Sequence, residues 1–371
     1  MNLTRAIVAF VGALAGLLLV VPIVLLAFPL IVIASGTRLL ANLFEPAHAT
    51  RDQLIEFDPT FGWKPRPNLN TYHLMADLFR ITTDQHGWRG RATIAESELI
   101  VFGDSFAAGY GIDDERVFAN LTVRPRIKPI GIGGYSMVQE LLWMQKLAPL
   151  LRGKLVTWFI YLGNDLYDNL SPELRGYRKP FVRETRDSTD WEIVSSHITS
   201  ERWPILPRAQ RGHIHMATLA EICSDTFLAQ RAFRACESLI RSGKRICDEA
   251  DASLVVLTIP DPHQLSAEGH RYLASLVHSS TSLDADAPGR AIEAICGTLD
   301  VPYVSGQRFL DLSCYKTNDC HWNERGHRRV AAVLTDMYDS WSRQEQKADC
   351  RKAFDVDSAS NRFTDTVEST L

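Results

Sequence analysis

From Glu98 onward the chain alternates short apolar runs, each ending at a polar or glycine-rich corner, with longer stretches of helical periodicity. The runs Leu99–Phe102, Pro129–Ile132, Leu155–Tyr161 and Leu254–Ile259, with a weaker one at Pro302–Val304, are short and almost wholly apolar. That pattern predicts parallel strands covered on both faces. Between them, Val138, Leu141, Leu142, Gln145 and Ala148 fall on one stripe of a helix over 137–151, and residues 216–250 predict one long helix or two. Strands alternating with helices specify an α/β domain built on a parallel sheet, here assigned to residues 96–342.

The flanking segments read differently. Residues 36–95 carry turn signals at Asp58-Pro59, Lys64-Pro65-Arg66-Pro67 and Gly87-Trp88-Arg89-Gly90, and predict a lead-in of short extended pieces. Residues 171–215 hold many charges, prolines and the aromatics Tyr177, Phe181, Trp191 and Trp203 without sustained periodicity, as a surface insertion would. The polar stretch 343–371 is expected to be a disordered tail.

Composition adds one strong feature. With 371 residues, 46% apolar, 23% charged and a net charge of −4, the chain is neither disordered nor basic enough to be built around nucleic acid. Yet Ala6 to Ser35 is a run of 30 residues with no Asp, Glu, Lys, Arg or His. As a helix it would reach about 45 Å, more than the roughly 30 Å of a hydrocarbon core. The run is about twice as long as a signal-peptide core, and the small-residue triplet Ala47-His48-Ala49 lies well beyond its end, so residues 1–35 read as an uncleaved N-terminal anchor. A start so near the terminus favours the amino end inside and the remaining chain on the periplasmic or outer face. Seven cysteines are too few for a disulfide scaffold, although Cys314 and Cys320 are close enough to close a loop in an oxidising compartment or to remain free thiols.

Chemistry-bearing residues gather at the strand ends, the edge where open α/β sheets hold ligands. The first run passes into Gly103-Asp104-Ser105, presenting a hydroxyl that either attacks a substrate or caps a helix. The second ends in Gly131-Ile132-Gly133-Gly134-Tyr135, where absent side chains let backbone N–H groups approach a ligand; Ser136 stands where a dinucleotide fingerprint needs a third glycine. The third ends in Gly163-Asn164-Asp165, whose Asn164 amide is either an oxyanion donor or part of a turn. Far downstream, Asn318-Asp319-Cys320-His321-Trp322 places a histidine beside a carboxylate just before a final helical pattern, where it can serve as a base. His213 with His215, and Cys320 with His321, lack the further ligands a metal site needs, and His327 belongs to its helix.

Taken together, the four corners resemble the ordered blocks of the SGNH hydrolase (GDSL esterase) superfamily over residues 99–335. Gly103-Asp104-Ser105 looks like the first block, Gly134 the second, Gly163-Asn164-Asp165 the third, and Asp319 with His321 the last. The resemblance implies a flavodoxin-like three-layer sandwich in which Ser105 attacks an acyl carbonyl, His321 takes its proton and Asp319 holds the imidazole tautomer. It also implies an oxyanion hole made by the Ser105 and Gly134 backbone N–H groups and the Asn164 side chain. The last block departs from the usual Asp-x-x-His: Asn318 stands three residues before His321 and Asp319 two before. The Asp-x-His-Trp arrangement is similar to that of bacterial alginate O-acetyltransferase-like members.

The expected protein is a membrane-anchored, serine-dependent ester hydrolase needing neither cofactor nor metal, acting on an acylated glycan of the envelope or a secreted polysaccharide. An O-acyltransferase of the same fold, and a non-catalytic anchored binding module, are the alternatives.

Overall fold

The computed structural model describes residues 48–364 apart from 76, 186–190, 279–281 and 318. The apolar run 6–35 read as an anchor lies outside the described residues. Among the described residues, no helix is long and apolar enough to cross a membrane.

Five strands, β1 (Leu99–Gly103), β2 (Ile127–Gly131), β3 (Leu155–Tyr161), β4 (Ser253–Ile259) and β5 (Tyr303–Ser305), form one parallel sheet in the order β2-β1-β3-β4-β5. This is the doubly wound order whose switch point lies between β1 and β3. All five apolar runs of the sequence are therefore strands, with ends moved by at most two residues. Their predominant apolarity follows from burial on both sides. Ile100, Phe102, Val156, Trp158 and Val256 face one core with α1 (Met137–Leu147), α2 (Phe227–Glu249) and α3 (Ala287–Thr298). Leu99, Val101, Phe159, Leu257 and Ile259 face the other, with Val330 and Leu334 of α4 (Glu324–Thr364). The result is three layers.

Helix α2 approaches the sheet closely because its buried stripe is made mostly of small residues: Ala229, Ala232, Ala235, Cys236 and Gly243. Any Cβ at Gly243 would collide with the Trp158 ring. That indole donates to Glu140 of α1 at 2.6 Å, so the polar edge of a fully buried aromatic is satisfied inside the layer.

The lead-in is more than a cover. Leu54, Ile55, Phe61, Trp63, Phe79, Ile81 and Trp88 join the same core as β1 and α1, so no boundary separates 48–95 from the sheet. Arg89 fixes it. Buried to 4% exposure, its guanidinium bonds Asp114 (2.8 Å) and the carbonyl oxygens of Arg80, Ala108, Gly109 and Ile112, tying the lead-in to the loop that follows β1.

Two expectations change, and for a third the structure selects between the two readings left open. The stretch 171–215 contains the paired strands Phe181–Glu184 and Trp191–Val194, and a helix already begins at Arg208 behind Pro207, so His213 and His215 stand on a helix, not in a loop. The helical region 216–250 divides into Arg208–Ile222 and α2, broken at Cys223–Thr226 where the Thr226 hydroxyl caps the new helix. Helix α4 runs on to Thr364, through most of the stretch expected as a disordered tail. Its Gln-Glu-Gln-Lys-Ala composition has strong helix propensity without needing an apolar face.

Candidate active site

Strand β1 is buried along its whole length and delivers Gly103-Asp104-Ser105 to the carboxyl edge of the sheet. There the Asp104 carboxylate accepts the Phe106 N–H at 2.9 Å, an Asx turn that bends the chain and turns Ser105 outward. Gly131 at the end of β2 lets the second loop pass: a Cβ there would fall 2.7 Å from the Asp104 carbonyl oxygen. Phe106 is wedged against Tyr161, Trp322 and His321, with ring centroids at 4.6, 4.8 and 5.3 Å, which fixes the nucleophile corner against the last block.

The last block arrives on the short strand Asp319–Trp322, antiparallel to Tyr315–Lys316, with Trp322 buried against Phe159. His321 Nε2 lies 2.7 Å from Ser105 Oγ, and His321 Nδ1 lies 2.6 Å from Asp319 Oδ1. Ser105 and His321 are each only 8% exposed. The two-residue spacing has a physical explanation, because Asp319 Oδ1 also accepts the backbone N–H of His321 at 3.2 Å. The acid forms an Asx turn onto the very residue whose ring it holds, so one residue fewer suffices to close the pair.

The electrostatics match a polarised chain of hydrogen bonds. Burial alone would raise Asp319, but hydrogen bonding and attraction from His321 bring its carboxyl below the usual range. Burial disfavours the imidazolium of His321, yet Cys320 and Asp319 outweigh it and raise its pKa above the ordinary imidazole value. Burial raises Asp104, whose Oδ2 lies 3.2 Å from Ser105 Oγ. A protonated Asp104 can donate to that oxygen while the serine donates to His321, so both contacts coexist when the imidazole is neutral.

The proposed oxyanion donors stand at the same edge. Gly134, with φ +80°, follows β2, and Asn164 follows β3. Among the described residues neither is hydrogen-bonded to Ser105. Asn164 Nδ2 donates to Asp168 at 2.6 Å and, at 3.5 Å, to Asp165, which fixes its amide plane. Asp168 lies near Lys179, whose ammonium is buried against Ser136 (3.2 Å) and whose pKa is pushed down to about 8 by burial.

Other residues take plainer places. Cys314 and Cys320 are free thiols; Cys314 is buried in the core beneath α4, while the Cys320 sulfur sits 3.9 Å from His321 Nδ1. Asp319, Cys320 and His321 bring ligand atoms within 4.8 Å of one another, but Asp319 and His321 spend theirs on each other and on Ser105. His327 is buried, stacked on Phe118 and accepts the Phe118 N–H at 3.3 Å; burial pushes its pKa down to about 3, so it is neutral packing. A cavity of about 220 Å3 lined by Asp52, Trp63, Tyr177 and Arg202 includes neither Ser105 nor His321.

Sequence reasoning passed over Asp104, Tyr110 and Arg51. Tyr110 donates its N–H to the Ser105 carbonyl at 3.0 Å, and its ring lies 6.5 Å from that of His321. Arg51 donates to the Gly133 carbonyl at 2.9 Å. Asp104 stands inside the Gly103-Asp104-Ser105 corner, whereas nothing local marks Arg51, which comes from the lead-in.

No family model and no curated protein matches the chain. Solved structures similar to it include a GDSL-like lipase from Bacteroides thetaiotaomicron, 12% identical over 68% of this chain and 92% of that one, with a TM-score of 0.36. TesA is 14% identical over 63% of this chain and 93% of its own, with a TM-score of 0.33. A protein from Lactobacillus plantarum is 13% identical over 66% and 97%, with a TM-score of 0.39. At these identities and scores the likeness decides nothing about this chain's chemistry, which rests on Ser105, His321 and Asp319.

Proposed function

We propose that the chain is a serine-dependent ester hydrolase of the SGNH type. One observation carries the reading: Asp319, His321 and Ser105 form an unbroken chain of hydrogen bonds of 2.6 and 2.7 Å at the carboxyl edge of the parallel sheet. Neutral His321 accepts the Ser105 proton as Oγ bonds to the acyl carbon, and Asp319 stabilises the imidazolium formed. The carbonyl π electrons move to oxygen, where the Ser105 and Gly134 N–H groups and the Asn164 amide are the donors. Each is worth about 3 kcal/mol of barrier by the usual measure of such donors. Collapse of the tetrahedral intermediate expels the alcohol, which takes the proton from His321. Water, deprotonated by the same imidazole, then releases the acid.

The preferred substrate is an O-acetyl ester on an envelope or secreted glycan, with the catalytic unit held outside the cytoplasm by residues 6–35; the uncharged length of that run supports the tether. The test is release of 4-nitrophenol from 4-nitrophenyl acetate by the folded wild type and by Ser105→Ala. Turnover in the first and only background in the second is the expected result; equal rates sink the reading.

A further inference from the structure

The wall of the site facing Gly134 carries arginines without carboxylate partners. Arg51 opens the short helix Arg51–Leu54, is half-buried, and lies with its guanidinium 5.6 Å from the Trp63 ring centroid and 5.3 Å from that of Tyr177. One nitrogen, Nη2, donates to the Gly133 carbonyl and would lie 3.1 Å from a Cβ on Gly134. Among the described residues, no carboxylate lies within ion-pair distance of Arg51. Its sequence neighbour Asp52 is taken by Arg202 at 2.9 Å and by the Tyr177 hydroxyl. Most arginines near an acid in this chain are paired with it, as Arg89 is with Asp114 and Arg183 with Glu192.

A second guanidinium comes from Arg175, at the exposed tip of the hairpin formed by Glu173–Leu174 and Tyr177–Arg178. Leu174 of that hairpin fills the space above Gly134, where it would collide with a Cβ, so the tip stands over the second block. Among the described residues, the Arg175 side chain has no hydrogen bond or ion pair. Burial first, then repulsion from Arg175, lowers the pKa of Arg51. The nearby acids have other work: Glu173 accepts the Gly176 N–H at 2.8 Å and Asp168 holds Asn164. Tyr110 spans the distance to the reacting groups. Its ring would lie 2.7 Å from a Cβ on Gly133 and lies 6.5 Å from that of His321, so Arg51 stands about one side chain away from the catalytic histidine.

We propose that Arg51 and Arg175 form an anion subsite beside Gly134 that receives a carboxylate or phosphate group carried by the ester substrate. The proposal rests on the hydrolase reading above and narrows its substrate class to anionic esters. Two neighbouring guanidiniums repel each other until an anion lies between them, and their planar forks match the oxygens of either group. A half-buried arginine with no acid of its own is likewise relieved by a ligand's charge.

The test compares matched esters: 4-carboxyphenyl acetate with its methyl ester for charge on the alcohol side, mono-4-nitrophenyl succinate with its methyl ester for charge on the acyl side, and 4-acetoxyphenyl phosphate with its dimethyl ester for phosphate. The readout is the ratio of kcat/KM for the anionic member to that for the neutral one. In Arg175→Gln and Arg51→Gln this ratio is expected to fall tenfold or more for at least one pair, through KM, while the remote surface variant Arg245→Gln leaves it unmoved. A larger fall with the phosphate ester assigns phosphate, and a larger fall with a carboxylate ester assigns carboxylate. Ratios equal to wild type in both variants for every anionic ester overturn the proposal. Because Arg51 also packs on Trp63 and Tyr177, Arg175→Gln keeps the test decisive if Arg51→Gln unfolds. Binding to Ser105→Ala, followed by calorimetry with and without Arg175→Gln, tests the subsite even where no ester is turned over. Anionic esters binding equally to both proteins overturns the subsite alone, whereas binding that depends on Arg175 with no turnover by the folded wild type overturns the hydrolase reading alone.

Discussion

Replacing Asp319 with asparagine keeps the shape of the last block and removes one charge. In the wild type that carboxylate accepts from both the ring and the backbone N–H of His321, and both side chains of the ion pair are nearly buried, at 10% and 12% exposure. A hydrogen bond to a charged partner in such a setting is worth about 1.5–3 kcal/mol, which corresponds to about a 10- to 150-fold loss in kcat/KM. If the new amide turns its NH2 towards Nδ1, the wrong tautomer is held and the loss extends towards the roughly 10,000-fold seen for this change in serine triads. The pH dependence has a definite sign. The base works only when neutral, so wild-type kcat/KM climbs as pH rises through the raised His321 pKa. In Asp319→Asn the Cys320 contribution and burial remain but the carboxylate's share of the upward shift has gone, so the limb moves to lower pH and the deficit is smallest on the acid side.

Stability follows the same pair. His321 contributes fully below its unfolded pKa of about 6.5, and the contribution is lost as pH rises through the higher folded value. Asp319 contributes above its unfolded pKa of about 3.9, and that contribution is lost as pH falls through the lower folded value. The melting deficit of Asp319→Asn is therefore largest between about pH 4 and 6.5 and shrinks in alkali. The assay is a pH–rate profile with 4-nitrophenyl acetate, supported by melts at pH 5 and pH 9. A variant within threefold of wild type, with an unmoved limb, refutes Asp319 as the group that orients His321.

Further outcomes follow from individual contacts. Arg89→Ala strips one buried carboxylate and four carbonyl oxygens of their partner and is expected to cost about 3–5 kcal/mol of unfolding free energy, read by urea titration. His327→Ala should cost about 2–4 kcal/mol from lost packing on Phe118 while kcat stays within a few-fold of wild type; loss of turnover in a folded variant would contradict its neutral packing role. Glu140 is raised well above the ordinary carboxyl range by burial first, although the Trp158 indole donates to one of its oxygens, and its other oxygen lacks a hydrogen-bond partner. Its stabilising effect is lost as pH rises, and Glu140→Gln should therefore show a smaller fall in melting temperature between pH 6 and pH 9 than wild type does.

The sheet was legible because both its faces are covered: a strand apolar on all but one residue, such as Leu155–Tyr161 with its single Thr157, has few other readings, and all five runs form it. Ser105 was legible as a corner at the end of an apolar run, and His321 as a histidine beside a carboxylate just before a helical pattern. The lead-in was harder to read. Its contribution comes from isolated large side chains such as Trp63, Phe79 and Trp88, set between turn residues with no period, so nothing local says they complete the core beneath α1. Arg89 and Arg51 act over long range, on carbonyls whose positions depend on the whole fold, and a chain of charges gives no hint of them. The helix from Arg208 was hidden by prolines just ahead of it, and the extension of α4 by its lack of apolar residues. Asp319 was legible only by proximity; the Asx turn that makes its spacing work needed coordinates.

The central claim is that Ser105 is an activated nucleophile. Intact-mass analysis of the folded protein after brief exposure to a fluorophosphonate, with peptide mapping of the product, measures this directly. The account predicts a single adduct on Ser105, absent in Ser105→Ala and formed far more slowly in His321→Ala. An unmodified wild type, or an adduct carried by a residue other than Ser105, would contradict it.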